Sequence, residues 1–241
     1  MRFPEIDIIK GVAVILMVIY HYFYMGHLMN KPIVDINNPM IHAMGIISHS
    51  TFIFMVGVNL FISYKKNKKE FYKKQVKRAI KLLLCGGLMT LATYLFYPQA
   101  FVRYGIFHFL ASAIIISMLF VHNRLLTTYG IVFFTVLSAL SQYFTNTFGV
   151  LCVNTKNICF NLGLYNYFGS VDHFSFIPYF AYVLLGVRAS QFIYKNLKSP
   201  IQIPKNRVTN SLATTGKYSL EIYLVHWIII YLLIISFHPN T

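Results

Sequence analysis

Long apolar runs recur along the chain, each closed by charged or turn-forming residues. A helix rises about 1.5 Å per residue, so roughly 20 apolar residues are needed to cross a hydrocarbon core about 30 Å thick. Seven segments have that length, running approximately Ile6–Tyr24, His42–Tyr64, Ala79–Tyr97, Tyr104–Val121, Leu125–Thr145, His173–Tyr194 and Ser219–Phe237. The pattern predicts an all-α polytopic membrane protein, a bundle of about seven transmembrane helices forming a single domain over residues 1–241 with no internal repeat. The longest connection, Asn146 to Asp172, carries Phe148, Tyr165, Tyr167 and Phe168, the aromatic content of a re-entrant or interfacial helix.

The first segment is not uniformly apolar. Positions 7, 10, 14, 17, 21 and 24 follow the spacing of one helix face and read Asp, Lys, Val, Met, His, Tyr. An ionisable side chain at membrane depth is costly unless a partner or a water-filled cavity receives it, which marks Asp7, Lys10 and His21 as candidates for a functional site.

Composition agrees with the pattern. With 57% hydrophobic, 17% aromatic and 11% charged residues, the chain is too apolar for an ordinary soluble domain. A formal net charge of +15 raises nucleic acid as a partner, but basic runs beside apolar segments read more simply as topology signals, and no nucleic acid is expected. The run KKNKKEFYKKQVKRAIK, from Lys65 to Lys81, marks a cytoplasmic loop between the second and third segments. Alternation from that loop leaves Lys31, Arg103 and Lys156 outside and Lys10 embedded, while the other 17 of the 21 lysines and arginines fall inside. The expected topology therefore has the N-terminus cytoplasmic and the C-terminus outside. The first segment reads as a retained signal anchor, since its apolar run is too long for a signal-peptide core and no Ala-x-Ala-like site closes it. Cys85 lies in an apolar run, and Cys152 and Cys159 share a loop where they could pair in an oxidising compartment.

On this topology, eight of the nine histidines lie towards the outer side: His21, His27, His42, His49, His108, His173, His226 and His238. His27, His42, His173 and His238 sit where interfacial residues are ordinary. His21, His49, His108 and His226 interrupt apolar runs on four helices and point to a polar cavity opening outward. Imidazole is the usual general base near neutral pH, so such a cavity suits removing a proton from an acceptor amine or hydroxyl. No metal is expected, because HxxxH spacing is absent and outer carboxylates are scarce; no serine sits in a nucleophile elbow. On the inner side, Lys77, Arg78 and Lys81 can meet the phosphates of a nucleotide-like cofactor or the anionic lipid surface. Lys10 and Glu221 fall at similar shallow depth and are expected to pair. Gly57, Gly86, Gly87 and Gly186 suit close helix packing.

Four stretches carry a resemblance. RFPEIDIIKGVAVILMVIYHYF, FIFMVGVNL, YGIFHFLAS, and FSFIPYFAYVLLGV with GKYSLEIYLVHW occur in order over nearly the whole chain. They resemble the opening helix, second-helix Phe-x-x-x-Gly segment, Gly-Ile-Leu-His segment and last two helices of the heparan-alpha-glucosaminide N-acetyltransferase catalytic-domain family. That resemblance implies a membrane enzyme moving an acetyl group from cytosolic acetyl-CoA to an amino sugar or glycan across the bilayer, by N- or O-transfer. It implies that Lys77, Arg78 and Lys81 contact the CoA phosphates and that His21, His108 and His27 are catalytic, His27 standing for a family histidine after the first helix. His49, His226, Asp7 and Lys10 are expected on the substrate side, with Lys10 where the family usually has Arg. Expected partners are acetyl-CoA, a carbohydrate or glycolipid acceptor and the lipid bilayer, with self-association as a homodimer left open. The competing functional class is a small transporter or channel whose outer histidines respond to pH; such proteins more often carry repeats or midplane charges, and the sequence has neither.

Overall fold

The computed structural model describes residues 3–31, 33–143, 159, 161–163 and 169–237. Among these, every long element is an α-helix: α1 (Pro4–Leu28), α2 (Pro39–Lys66), α3 (Lys68–Phe96), α4 (Ile106–Ser117), α5 (Arg124–Tyr143), α6 (Phe176–Ile193), α7 (Arg207–Lys217) and α8 (Ser219–Phe237). Six of them, α1, α2, α3, α5, α6 and α8, are long and apolar enough to cross a membrane. The chain is an integral, multi-pass, all-α membrane protein.

Three differences from the sequence pattern have local causes. The expected span Tyr104–Val121 forms a helix of 12 residues, α4. At about 18 Å this falls short of the hydrocarbon thickness. Beyond it the chain tightens into turns, with Leu119 N–H donating to the Ile116 carbonyl and Phe120 N–H to that of Ser117. The basic run is not a loop. Asn67 alone separates α2 from α3, and its side chain caps α3 by accepting the Glu70 N–H at 3.1 Å. α3 thus starts at Lys68 rather than Ala79 and spans 29 residues, with Phe71, Gln75, Ala79 and Leu82 buried along one face. The third difference is α7, too polar to register as a span. Its N-terminus is a capping box, in which the Asn206 side chain accepts the Thr209 N–H at 2.8 Å and the Thr209 hydroxyl accepts the Asn206 N–H at 3.1 Å.

The chain divides into two compact units, Met1–Met55 with Ser199–Thr241, and Val56–Lys198. In the first, α1 and α7 meet backbone to backbone. A Cβ at Gly216 would overlap the Asp7 carbonyl oxygen, and one at Gly11 would overlap that of Leu212. Ser48 on α2 donates to the Ala13 carbonyl at 2.8 Å, and the Tyr20 ring fills the space over Gly45. Met25, Ile230 and Ile234 form an apolar cluster between α1 and α8, flanked by Val18, Tyr22 and Trp227.

In the second unit, Gly57 on α2 lets the backbone approach the Val183 carbonyl on α6. Phe109, Phe134, Phe176 and Phe180 pack ring against ring, Phe176 and Phe180 stacked at 4.7 Å. Buried Gln191 donates to the Val121 carbonyl and the Thr127 hydroxyl, both at 3.2 Å. Cys85 is free and buried and Cys159 is disulfide-bonded; Cys152 lies outside the described residues.

Candidate active site

The first unit brings two of the candidate histidines together. His226 lies on α8 three residues after Tyr223, so its ring reaches back to the carbonyl of the preceding turn, with Nδ1 at 2.7 Å from the Tyr223 oxygen. A carbonyl only accepts, so the proton sits on Nδ1 of His226 and the lone pair of the neutral ring sits on Nε2. That Nε2 is 3.0 Å from Nδ1 of His21 on α1. His21 therefore donates from Nδ1, and its own lone pair is on Nε2. One backbone carbonyl fixes both tautomers in turn and leaves His21 with the atom a general base needs.

The surroundings are aromatic. His226 is buried. The Trp227 ring centre is 5.2 Å from that of His21, and the Tyr223 ring meets His21 edge-on at 6.4 Å. Tyr20 packs edge-on against His21 at 5.5 Å and stacks on Tyr24 at 5.9 Å.

Other candidates in this unit have separate settings. Lys10 pairs with Asp7 at 2.8 Å across one turn of α1. The expected partner Glu221 is exposed instead. The cause is local: an i,i+3 acid lies within reach of the lysine without any tertiary contact. His49 donates to the Gly45 carbonyl one turn back on α2. His27, at the end of α1, and His42 are exposed. His238 lies outside the described residues.

In the second unit, Lys77 and Lys81 are exposed and Arg78 is half-buried; all three stand in the third and fourth turns of α3 rather than at its start. His108 sits in the first turn of α4, stacked on Tyr104 at 6.0 Å between ring centres. Just before α4, the Asp172 carboxylate accepts the Ile106 N–H at 3.1 Å, and Gly105 packs so closely that a Cβ would overlap the acid. Burial pushes the Asp172 carboxyl up to about 6, against the opposing effect of that N–H. His173 shares a hydrogen bond with the Ser175 hydroxyl at 2.8 Å.

The family model described as heparan-alpha-glucosaminide N-acetyltransferase, catalytic, matches residues 2–228. The chain belongs to that family. The match includes every candidate histidine except His238 and ends two residues after His226. No curated protein and no solved structure matched the chain. Membership in this acetyltransferase family, together with six candidate spans, makes the molecule a membrane-bound transferase of the acyl-transfer type. Acetyl-CoA is the donor such a family implies. Among the described residues, no group of three or more His, Cys, Asp or Glu converges as a metal centre would require.

Sequence reasoning missed two contributors to the histidine pair: the Tyr223 carbonyl and the Trp227 ring. The carbonyl had a usable signal, since a helical side chain reaches the turn N-terminal to it. Trp227 had none, because its approach to His21 depends on how α8 is rotated against α1.

Proposed function

We propose that this protein transfers the acetyl group of acetyl-CoA to an amino-sugar or glycan acceptor at the opposite face of the membrane, with Nε2 of His21 as the general base. The observation that carries the reading is the relay from the Tyr223 carbonyl through His226 to His21, in a chain of an acetyltransferase family. In the step itself, the acceptor nitrogen or oxygen attacks the thioester carbonyl and gives its proton to Nε2 of His21. The new N–C or O–C bond forms as the C–S bond breaks, and CoA leaves as the thiolate, which takes up a proton. His226 is a positioning residue in this scheme. Its Nε2 accepts from His21 Nδ1 throughout, holding the ring and stabilising the imidazolium that appears when His21 is protonated. General-base assistance of this kind contributes roughly 10²- to 10⁴-fold.

Lys77, Arg78 and Lys81 are the proposed partners of the CoA phosphates, because they offer three cations on consecutive turns of one helix. His108, His49 and exposed His27 are assigned to the acceptor side. The Asp7–Lys10 pair is assigned to the substrate path, each charge offsetting the burial cost of the other. The dense basic run from Lys65 to Lys81, which includes the proposed CoA-binding cations, supports a cytosolic donor.

The test is purified protein in nanodiscs with labelled acetyl-CoA and a panel of amino sugars and lipid-linked glycans, read as acetylated product and free CoA thiol. The expected result is acceptor-dependent release of CoA, abolished by His21→Ala with CoA binding retained, and weakened donor binding in Arg78→Ala. No CoA binding and no release with any acceptor overturns the enzyme reading; full turnover in His21→Ala overturns the role of that residue.

A further inference from the structure

Adjacent glycines in the middle of α3 differ sharply in what they face. At Gly87 an added Cβ would meet nothing within 4 Å. At Gly86 the same atom would come to 2.8 Å from Cε1 of His108 and 3.0 Å from both of its ring nitrogens. The His108 ring thus lies flat in the gap that the missing side chain leaves. Its Nδ1 is buried with no hydrogen-bond partner among the described residues.

The ring is held from a second direction. Ser112 donates to the His108 carbonyl at 3.0 Å and to that of Phe109 at 3.0 Å, so its oxygen accepts the Tyr104 hydroxyl. Tyr104 is thereby tied to α4 with its ring stacked on His108, at an interplanar angle of 29°. Gly86 and Tyr104 together confine an imidazole whose Nδ1 makes no hydrogen bond to the described residues. A buried polar atom left unpaired calls for an explanation, and a substrate hydroxyl or amine that donates to it is one.

We infer that Gly86 is a positioning residue: it seats His108 so that Nδ1 accepts a hydrogen bond from a hydroxyl or amine of the acceptor. This rests on the acetyl-transfer reading above for its kinetic meaning, but not for its geometry. Any side chain at 86 drives the imidazole out of its seat, whereas the neighbouring position tolerates one.

Two measurements test the inference. The first is the kinetic cycle of Gly86→Ala, His108→Ala and the double variant, with Gly87→Ala as the reference for adding a methyl group to α3. Gly86→Ala is expected to lower kcat/KM for the acceptor about 10- to 100-fold with CoA binding unchanged, and Gly87→Ala to stay within about twofold. In the His108→Ala background, Gly86→Ala is expected to cost no more than about twofold, because its effect passes through the ring. Equal losses in both backgrounds, or full activity in Gly86→Ala, overturn the proposal. The second is ¹⁵N NMR of the imidazoles in histidine-labelled, folded protein, assigned with His108→Ala. Gly86→Ala should move the His108 ring resonances and Gly87→Ala should leave them in place; unmoved resonances in Gly86→Ala overturn the seating. The NMR result stands even where the wild-type protein transfers no acetyl group, so failure of the functional reading is separable from failure of this one.

Discussion

A single carbonyl decides the chemistry available at His21. Because the Tyr223 oxygen can only accept, His226 must donate from Nδ1, and the neutral pair then leaves the lone pair of His21 on Nε2. Replacing His226 by Phe keeps an aromatic ring against Trp227 and Tyr223 but removes the acceptor for His21 Nδ1. Acetyl transfer should fall by roughly 10²-fold in kcat, the lower end of what a positioned base contributes, with KM for acetyl-CoA unchanged. A steady-state comparison of the two parameters checks this. Asp172 supplies a second prediction, in stability. Its carboxyl is raised by burial from 3.8 to about 6. A raised folded value means that the stabilising contribution is complete below about 4 and is lost as pH rises through about 6. Asp172→Asn keeps an oxygen for the Ile106 N–H and cannot ionise. The variant should therefore gain thermal stability relative to the parent as pH climbs from about 4 to about 7, and melting curves in detergent across that range would reveal the opposite slope if the assignment were wrong.

At the scale of helices, the contact between α1 and α7 rests on two residues without side chains. A methyl group at Gly216 would occupy the position of the Asp7 carbonyl oxygen, and a backbone atom has no rotamer by which to move aside. Gly216→Ala should destabilise the protein by about 1–3 kcal/mol or more, the usual cost of overpacking, despite the better helix propensity of alanine. Gly87→Ala, facing open space, should be neutral or stabilising by up to about 1 kcal/mol. Thermal unfolding of both variants in the same detergent tests the pair. The same helices measure what the sequence could reveal. Apolar length alone located α1, α2, α5, α6 and α8 to within a few residues, because crossing a bilayer imposes a length that composition records directly. It misjudged α3 and α4 for the converse reason. Lysines can extend a helix beyond the membrane without interrupting it, and an apolar segment need not remain helical to its end. α7 was legible only through Asn206 and Thr209, since a polar-faced helix leaves no hydropathy signal.

For the molecule as a whole, the charge asymmetry predicts sidedness. A cysteine introduced at Lys69 in a Cys85→Ala background should react with a membrane-impermeant maleimide in inside-out vesicles and not in right-side-out ones, while one at Asn37 should behave oppositely. The reverse pattern would invert the proposed direction of transfer. The sequence by itself determined that the protein lives in a membrane, where its helices begin and end to a first approximation, and which family it resembles, because hydropathy and motif order are properties of the chain. It also singled out His21, His49, His108 and His226 as histidines out of place in apolar surroundings. Only the tertiary structure decided what those histidines do to one another. Lys10 met the acid one turn away rather than Glu221. His21 met His226 across 205 positions of sequence, and His108 settled against a glycine that differs from its neighbour in nothing but orientation. Such pairings depend on helix rotation and close backbone approach, which packing sets to a fraction of an ångström and which no spacing along the chain encodes.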